Sequence, residues 1–163
     1  MTYIPQPTPR PVVVAVRGSA TGSHDPSHYP IDVSFMYDVA RPFSVVIDLA
    51  AIDGHDYEED GRYARWEVSR EVLHAGCVWR SLAGLGDFFV IPVNDDAVTM
   101  RFHASNNCGP DCTRAHWLDV TVPRPQVLRF LEMSLNVVPI GRESGYLDLD
   151  GGLSDLLAGR HTW

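Results

Sequence analysis

The chain has 163 residues, 45% of them hydrophobic, and a formal net charge of -8; its 13 basic residues are all arginine. That length supports one domain with a core of its own, and the apolar content excludes a disordered chain. The acidic balance, with arginines scattered singly, excludes a protein that grips phosphate backbones through overall charge.

Residues 1–11 carry Pro5, Pro7, Pro9 and Pro11 in alternation. This pattern forbids helix and disfavours a central strand, so it reads as a flexible extended arm ahead of a single domain over 12–163. "VVVAV" at Val12–Val16 is a strand, and "RGSATGSHDPSHYP" is a loop by its glycine, serine and proline content. "VVVAV" is also the longest apolar run, far short of the ~20 residues that span a bilayer. The expectation is a cytoplasmic protein with no integral membrane segment, its three cysteines reduced.

Two strands follow, "IDVSFMYD" and "FSVVIDLA"; in the first, Ile31, Val33, Phe35 and Tyr37 alternate with polar or smaller residues. The acidic "DGHDYEEDG" (53–61) lacks calcium-loop spacing and reads as a solvated hairpin loop. "YARWEV" is a strand. "SREVLHAG" is a short helix capped by Ser69 and ended by Gly76. "DFFVIPV" and "AVTMRFH" are strands joined by the turn "NDD", and "HWLDVTV" is another strand. "PRPQVLRFLEMSLNVVP" is the clearest helix. Val127, Phe130, Leu131, Leu135 and Val138 recur at helical spacing, Pro123 and Pro125 stand at its start, and Pro139 stops it. A short C-terminal helix would carry Leu153, Leu156 and Leu157. Segregated strands and helices predict an α+β fold: an antiparallel sheet of about six or seven strands with the long helix covering one face and short helices beside it.

Few groups invite chemistry. No nucleophile elbow, HExxH or Walker A pattern occurs. "GLGDFF" places Phe89 where a dinucleotide loop needs its third glycine, and it precedes a strand. The stretch "HASNNCGPDCTRAH" offers His103, Cys108, Cys112 and His116 as zinc ligands. Strand register opposes this. Burying Val98, Met100 and Phe102 beside Leu118, Val120 and Val122 sends His103 and His116 to opposite faces. The loop is therefore read as a reduced hairpin tip without metal. His24 and His28 around Asp25 are read as surface polar residues, and Cys77 as a buried small apolar side chain. Trp66, Trp79 and Trp117 are read as core or interface anchors. No catalytic, cofactor or metal site is assigned, and the partner-binding residues are unknown.

Five ordered matches then link the chain to a known family. They are "VSFMYDVARPFSVVIDL"; "WEVSREVLHAG" on W-x-F-S-R-[DE]-L-L-x-x-G, through Trp66, Ser69, Arg70, Glu71, Leu73 and Gly76; and "GLGDFFVIPV" on G-x-G-D-V-x-V-x-P, through Gly84, Gly86, Asp87, Val90 and Pro92. "VLRFLEMSLNVVPIGRES" matches F-L-x-x-[ST] followed by V-P-x-G-x-E, through Phe130, Leu131, Ser134, Val138, Pro139, Gly141 and Glu143, and "LDLDGGLSDLL" closes the series. The chain thus resembles the SsgA-like sporulation and cell-division proteins of actinomycetes from about Ile31 to Leu157. It departs in Arg41-Pro42, where the family usually has Asp-Pro, and in longer loops at 53–61 and 104–115.

The resemblance implies a non-enzymatic, cytoplasmic homotrimer of Whirly-like architecture with a curved antiparallel sheet, without cofactor, that acts in sporulation-specific septation by protein–protein interaction. Implied partners are other division proteins, among them the tubulin-like FtsZ or another SsgA-like protein, at division septa. Arg70 and Glu71, on the short helix, are read either as candidate interface charges or as a solvated face, and Trp66 and Phe130 as core anchors. The alternative function is a Whirly-like single-stranded nucleic-acid binder, which requires a basic, aromatic sheet face; the net charge argues against nucleic acid as a partner.

Overall fold

In the computed structural model, residues 10–23, 27–52, 64–104, 116–147 and Leu157 are described. Residues 1–9 of the arm, the acidic loop, the two loop cysteines and all but Leu157 of the C-terminal leucine helix lie outside them. The elements run β1 (Val12–Gly22), β2 (Tyr29–Tyr37), β3 (Ser44–Ala51), β4 (Ala64–Ser69), α1 (Arg70–Val78), β5 (Ala83–Leu85), β6 (Phe88–Pro92), β7 (Ala97–Ala104), β8 (His116–Pro123) and α2 (Arg124–Val137), then a 3-10 turn at Glu143–Tyr146.

The strands form one antiparallel sheet in the order β4-β3-β2-β1-β8-β7-β6-β5. Each half is a four-strand meander followed by a helix, so the chain is a ββββα unit used twice. The halves join where Ser19–Gly22 of β1 pair with Leu118–Thr121 of β8. This is the predicted α+β fold with eight strands rather than six or seven. Two expectations about the strands need correction. β1 continues through Gly22, where the glycine- and serine-rich composition reads as loop. Gly18 permits this, because a Cβ there would lie 2.7 Å from the Thr121 carbonyl oxygen of β8. The added strand, β5, has three residues and a central glycine, too short for a periodic signal.

Alternation sorts the side chains onto two faces. Val12, Val16 and Ala20 of β1, the odd positions of β2 and β3, and the even positions of β6, β7 and β8 face a continuous core. The sheet curls strongly: Trp66 on edge strand β4 reaches Phe102 on β7, with ring centroids 5.1 Å apart. α1 packs against β4, β5 and β6 and so lies across the seam between the two sheet edges. α2 inserts Val127, Phe130 and Leu131 into the core, Phe130 lying 5.4 Å from Phe35. Each such burial contributes about 1.5–3 kcal/mol before ordering costs.

The helix ends follow from local chemistry. The Ser69 side chain accepts a hydrogen bond from the Val72 N–H (3.3 Å) and starts α1. Gly76 does not end α1. It is buried inside the helix, where a Cβ would come within 2.4 Å of Val90 Cβ, so it is a close-packing residue. The left-handed residue just past the helix is Arg80, with φ 54°. α2 starts after Pro123, carries Pro125 in its first turn and stops before Pro139. Ser134 takes the buried position beside the seam; Leu135 is only half-buried.

Candidate functional site

The deepest polar cluster joins two sequence motifs far apart in the chain. Arg70 is 1% exposed and lies where α1, α2 and the 3-10 turn meet. Its guanidinium donates to Glu143 Oε1 (2.6 Å), to the Val138 carbonyl (2.8 Å) and, more weakly, to the Ser134 carbonyl (3.4 Å). It also lies over the Tyr37 ring, 4.7 Å from its centroid. α2 has no basic residue in its last turn, and Arg70 supplies from another helix the cation that its C-terminal carbonyls require.

Gly141, at φ 83°, turns the chain so that Glu143 returns to this cluster. Burial pushes the Glu143 carboxyl up. Bonds from its own N–H, from Arg70 and from the Gly141 N–H outweigh that push and hold it below the usual carboxylate range. Burial raises the Tyr37 hydroxyl pKa, against an opposing effect of Arg70. Arg70 is therefore a buried structural ion pair, not the interface charge that its helical setting suggested; Glu71 is exposed.

The other residues singled out in the sequence do not converge. β7 and β8 pair with His103 opposite Trp117 and Ala104 opposite His116, so the two histidines fall on opposite faces, as the apolar pattern required. His103 packs edge-on against Phe89 at 5.5 Å. Cys108 and Cys112 lie outside the described residues, as do His24 and Asp25. His28 Nδ1 lies 2.9 Å from Thr21 Oγ1 and 3.4 Å from Ser19 Oγ, an exposed imidazole–hydroxyl contact with no carboxylate partner among the described residues. Cys77 is fully buried, and burial pushes its thiol up to about 12, which makes it inert. "GLGDFF" is the β5–β6 hairpin, turned at Gly86 with φ 61°.

Two surfaces remain. The outer sheet face carries Arg17 opposite Asp32, Asp48 opposite Arg65, and Arg101 opposite Asp119. The last two pairs are bidentate, at 2.6–2.8 Å. Arg101 also lies over Trp117, 4.5 Å from the ring centroid. An open groove of about 470 Å³ runs beside Ala15, Arg17, Asp32 and Gln126. Each of these three arginines faces a carboxylate, so this part of the sheet presents a charge-balanced ladder rather than a basic stripe.

The second surface is a corner where α1 ends and β5 begins. Val78, Trp79, Leu82 and Leu85 are 40%, 68%, 69% and 68% exposed. Trp79 is thus neither in the core nor stacked on the sheet; Trp66 is half-buried against the core.

Comparison with known proteins adds to this geometry. The profile of the family described as "Streptomyces sporulation and cell division protein, SsgA" matches residues 31–143. The chain belongs to the SsgA family. It is 32% identical over 155 residues to the sporulation-specific cell division protein SsgB of Salinispora tropica, covering 93% of this chain and 97% of that protein. It is 30% identical over 130 residues to SsgB of Frankia casuarinae, covering 80% of each. Both relatives are named as cell-division proteins, not as enzymes.

The fold matches a crystal structure of an SsgA-like sporulation-specific cell division protein from Thermobifida fusca at TM-score 0.67 and 19% identity, covering 93% of this chain and 98% of that one. It also matches, at TM-score 0.64 and 19% identity, a structure from work on SsgB mutations that correlate with longitudinal division during sporulation of Streptomyces coelicolor, covering 88% and 100%. The Arg70–Glu143 pair accounts for two of the matched motifs: their polar residues meet in one buried bond.

Proposed function

We propose that this SsgA-family chain is a non-enzymatic adaptor of sporulation-specific cell division. It works in the cytoplasm at septa, as a homotrimer, by binding another division protein, FtsZ or a second SsgA-like protein. The observation that carries this reading is the exposed apolar corner Val78, Trp79, Leu82 and Leu85, four large side chains left in water within eight residues of the chain. The test is co-sedimentation with polymerised FtsZ. The expected result is pellet enrichment that depends on polymer; enrichment equal to that without polymer contradicts the FtsZ assignment. Light scattering tests the assembly, and a monomer at micromolar concentration overturns the trimer.

The Trp117 and Arg101 stack favours the nucleic-acid alternative, since aromatic faces hold bases. Asp119 neutralises that arginine, and a titration with single-stranded oligonucleotides at low salt is expected to stay flat.

A further inference from the structure

β5 ends the sheet, and no strand pairs with its far side among the described residues. Ser81, Leu82, Gly84 and Leu85 are exposed, while Ala83 between them is half-buried on the side that α1 packs against. An open edge is a template for an added strand, and proteins that avoid this use place charges on it. β4, at the other edge, does so with Arg65 and Glu67, which are bonded to Asp48 and Arg41. β5 carries only alanine, glycine and leucine.

The surroundings favour one sign of charge. Arg80, beside Trp79, is taken up by Asp95 at 2.5 Å, and Arg124 donates to the Cys77 carbonyl at 2.8 Å. The exposed carboxylates of Asp87, in the β5–β6 turn, and Asp96, next to Asp95, meet no cation among the described residues.

We infer that the β5 edge accepts an extended peptide segment of a partner protein, alternating apolar with basic residues, which adds as a ninth strand. Its main chain bonds to the N–H and carbonyl of Gly84, since Ala83 and Leu85 turn theirs toward Val90 and Phe88 of β6. Its apolar side chains cover Leu85, on the face of β5 shared with Ala83. Its lysines or arginines approach Asp87 and Asp96. This rests on the adaptor reading above and names the chemistry of the partner at that surface.

The test uses the full chain and a fluorescein-labelled synthetic peptide of about eight residues, alternating valine or leucine with lysine or arginine. Two twins accompany it, one with glutamate for every basic residue and one with N-methylated backbone amides. Fluorescence anisotropy is expected to show the parent peptide binding and both twins at least about tenfold weaker. Leu82→Ser with Leu85→Ser weakens the parent by about tenfold or more. Asp87→Asn with Asp96→Asn weakens it several-fold and flattens its salt dependence. All four residues are exposed, and an unchanged melting curve verifies folding.

No binding of the parent, or equal binding of the N-methylated twin, overturns the inference. So does a change of oligomeric state in the leucine double variant, which would mean that a second copy covers the edge. FtsZ co-sedimentation separates the two failures. If the wild-type chain pellets with polymer but the peptide does not bind, the edge assignment falls and the adaptor reading stands. If the peptide binds and the chain does not pellet, the FtsZ reading falls and the edge stands.

Discussion

The two ends of α1 are built in opposite ways. At its start Ser69 caps the helix, and Arg70 bonds to Glu143 and the last carbonyls of α2 with almost no exposed surface. At its end Val78 and Trp79 stand in water beside β5. One end fastens both ββββα units together; the other leaves apolar area uncovered. The same contrast appears in the sheet edges, where β4 is guarded by ion pairs and β5 is not. The buried ion pair and the exposed apolar area thus lie at different ends of one short helix. Substitutions at the first end should change melting, and substitutions at the second should change binding.

The largest effect should come from breaking the fastened end. Arg70→Ala leaves the buried Glu143 carboxylate without its cation and is expected to cost about 3–5 kcal/mol. For a chain of this size that lowers Tm by about 6–20 °C in a circular-dichroism melt. A shift within about 2 °C would show that the cluster does not hold the halves together. Gly76→Ala comes next. Its methyl group would drive into Val90, with an expected loss of about 1–3 kcal/mol by chemical denaturation.

Glu143 sharpens the comparison through pH. Its folded carboxyl lies below the ordinary 4.5, so it contributes stability that is fully present above that value and lost as pH falls through the folded value. Denaturation curves from pH 7 downward should show Glu143→Gln starting less stable than the wild type and losing less in acid. Parallel curves would remove the ion pair from the account. Cys77 should resist alkylation in the native chain, with peptide mapping detecting modification only after unfolding. The smallest effect belongs to the open end: Leu82→Ser with Leu85→Ser should move stability by no more than about 1 kcal/mol.

Much of this architecture is legible in the residue pattern. The β7–β8 register follows from keeping Val98, Met100, Phe102, Val120 and Val122 on one face, and it separates His103 from His116 as expected. α2 is bounded by its prolines, and its apolar stripe includes the buried Val127, Phe130 and Leu131. The failures have physical causes. β5 is too short for alternation to be visible. The second half of β1 is held by a glycine that admits a neighbouring strand, a role composition does not distinguish from a loop. Gly76 has the same ambiguity, since a packing glycine and a helix-ending glycine look alike until Val90 is seen against it. An arginine in the first turn of a short helix reads as surface. Its burial depends on a carboxylate 73 positions away that only the fold brings to it. Two motifs, one containing Ser69-Arg70 and one ending in Gly141-x-Glu143, are the available signal for that bond.

The most direct measurement is a paired co-sedimentation with polymerised FtsZ of the wild-type chain and its Leu82→Ser, Leu85→Ser variant, with melting curves taken on the same samples. The account predicts that the wild type pellets in a polymer-dependent manner and that the variant stays in solution with an unchanged Tm. Equal pelleting of both proteins would contradict the assignment of contact to the open end of α1 and β5.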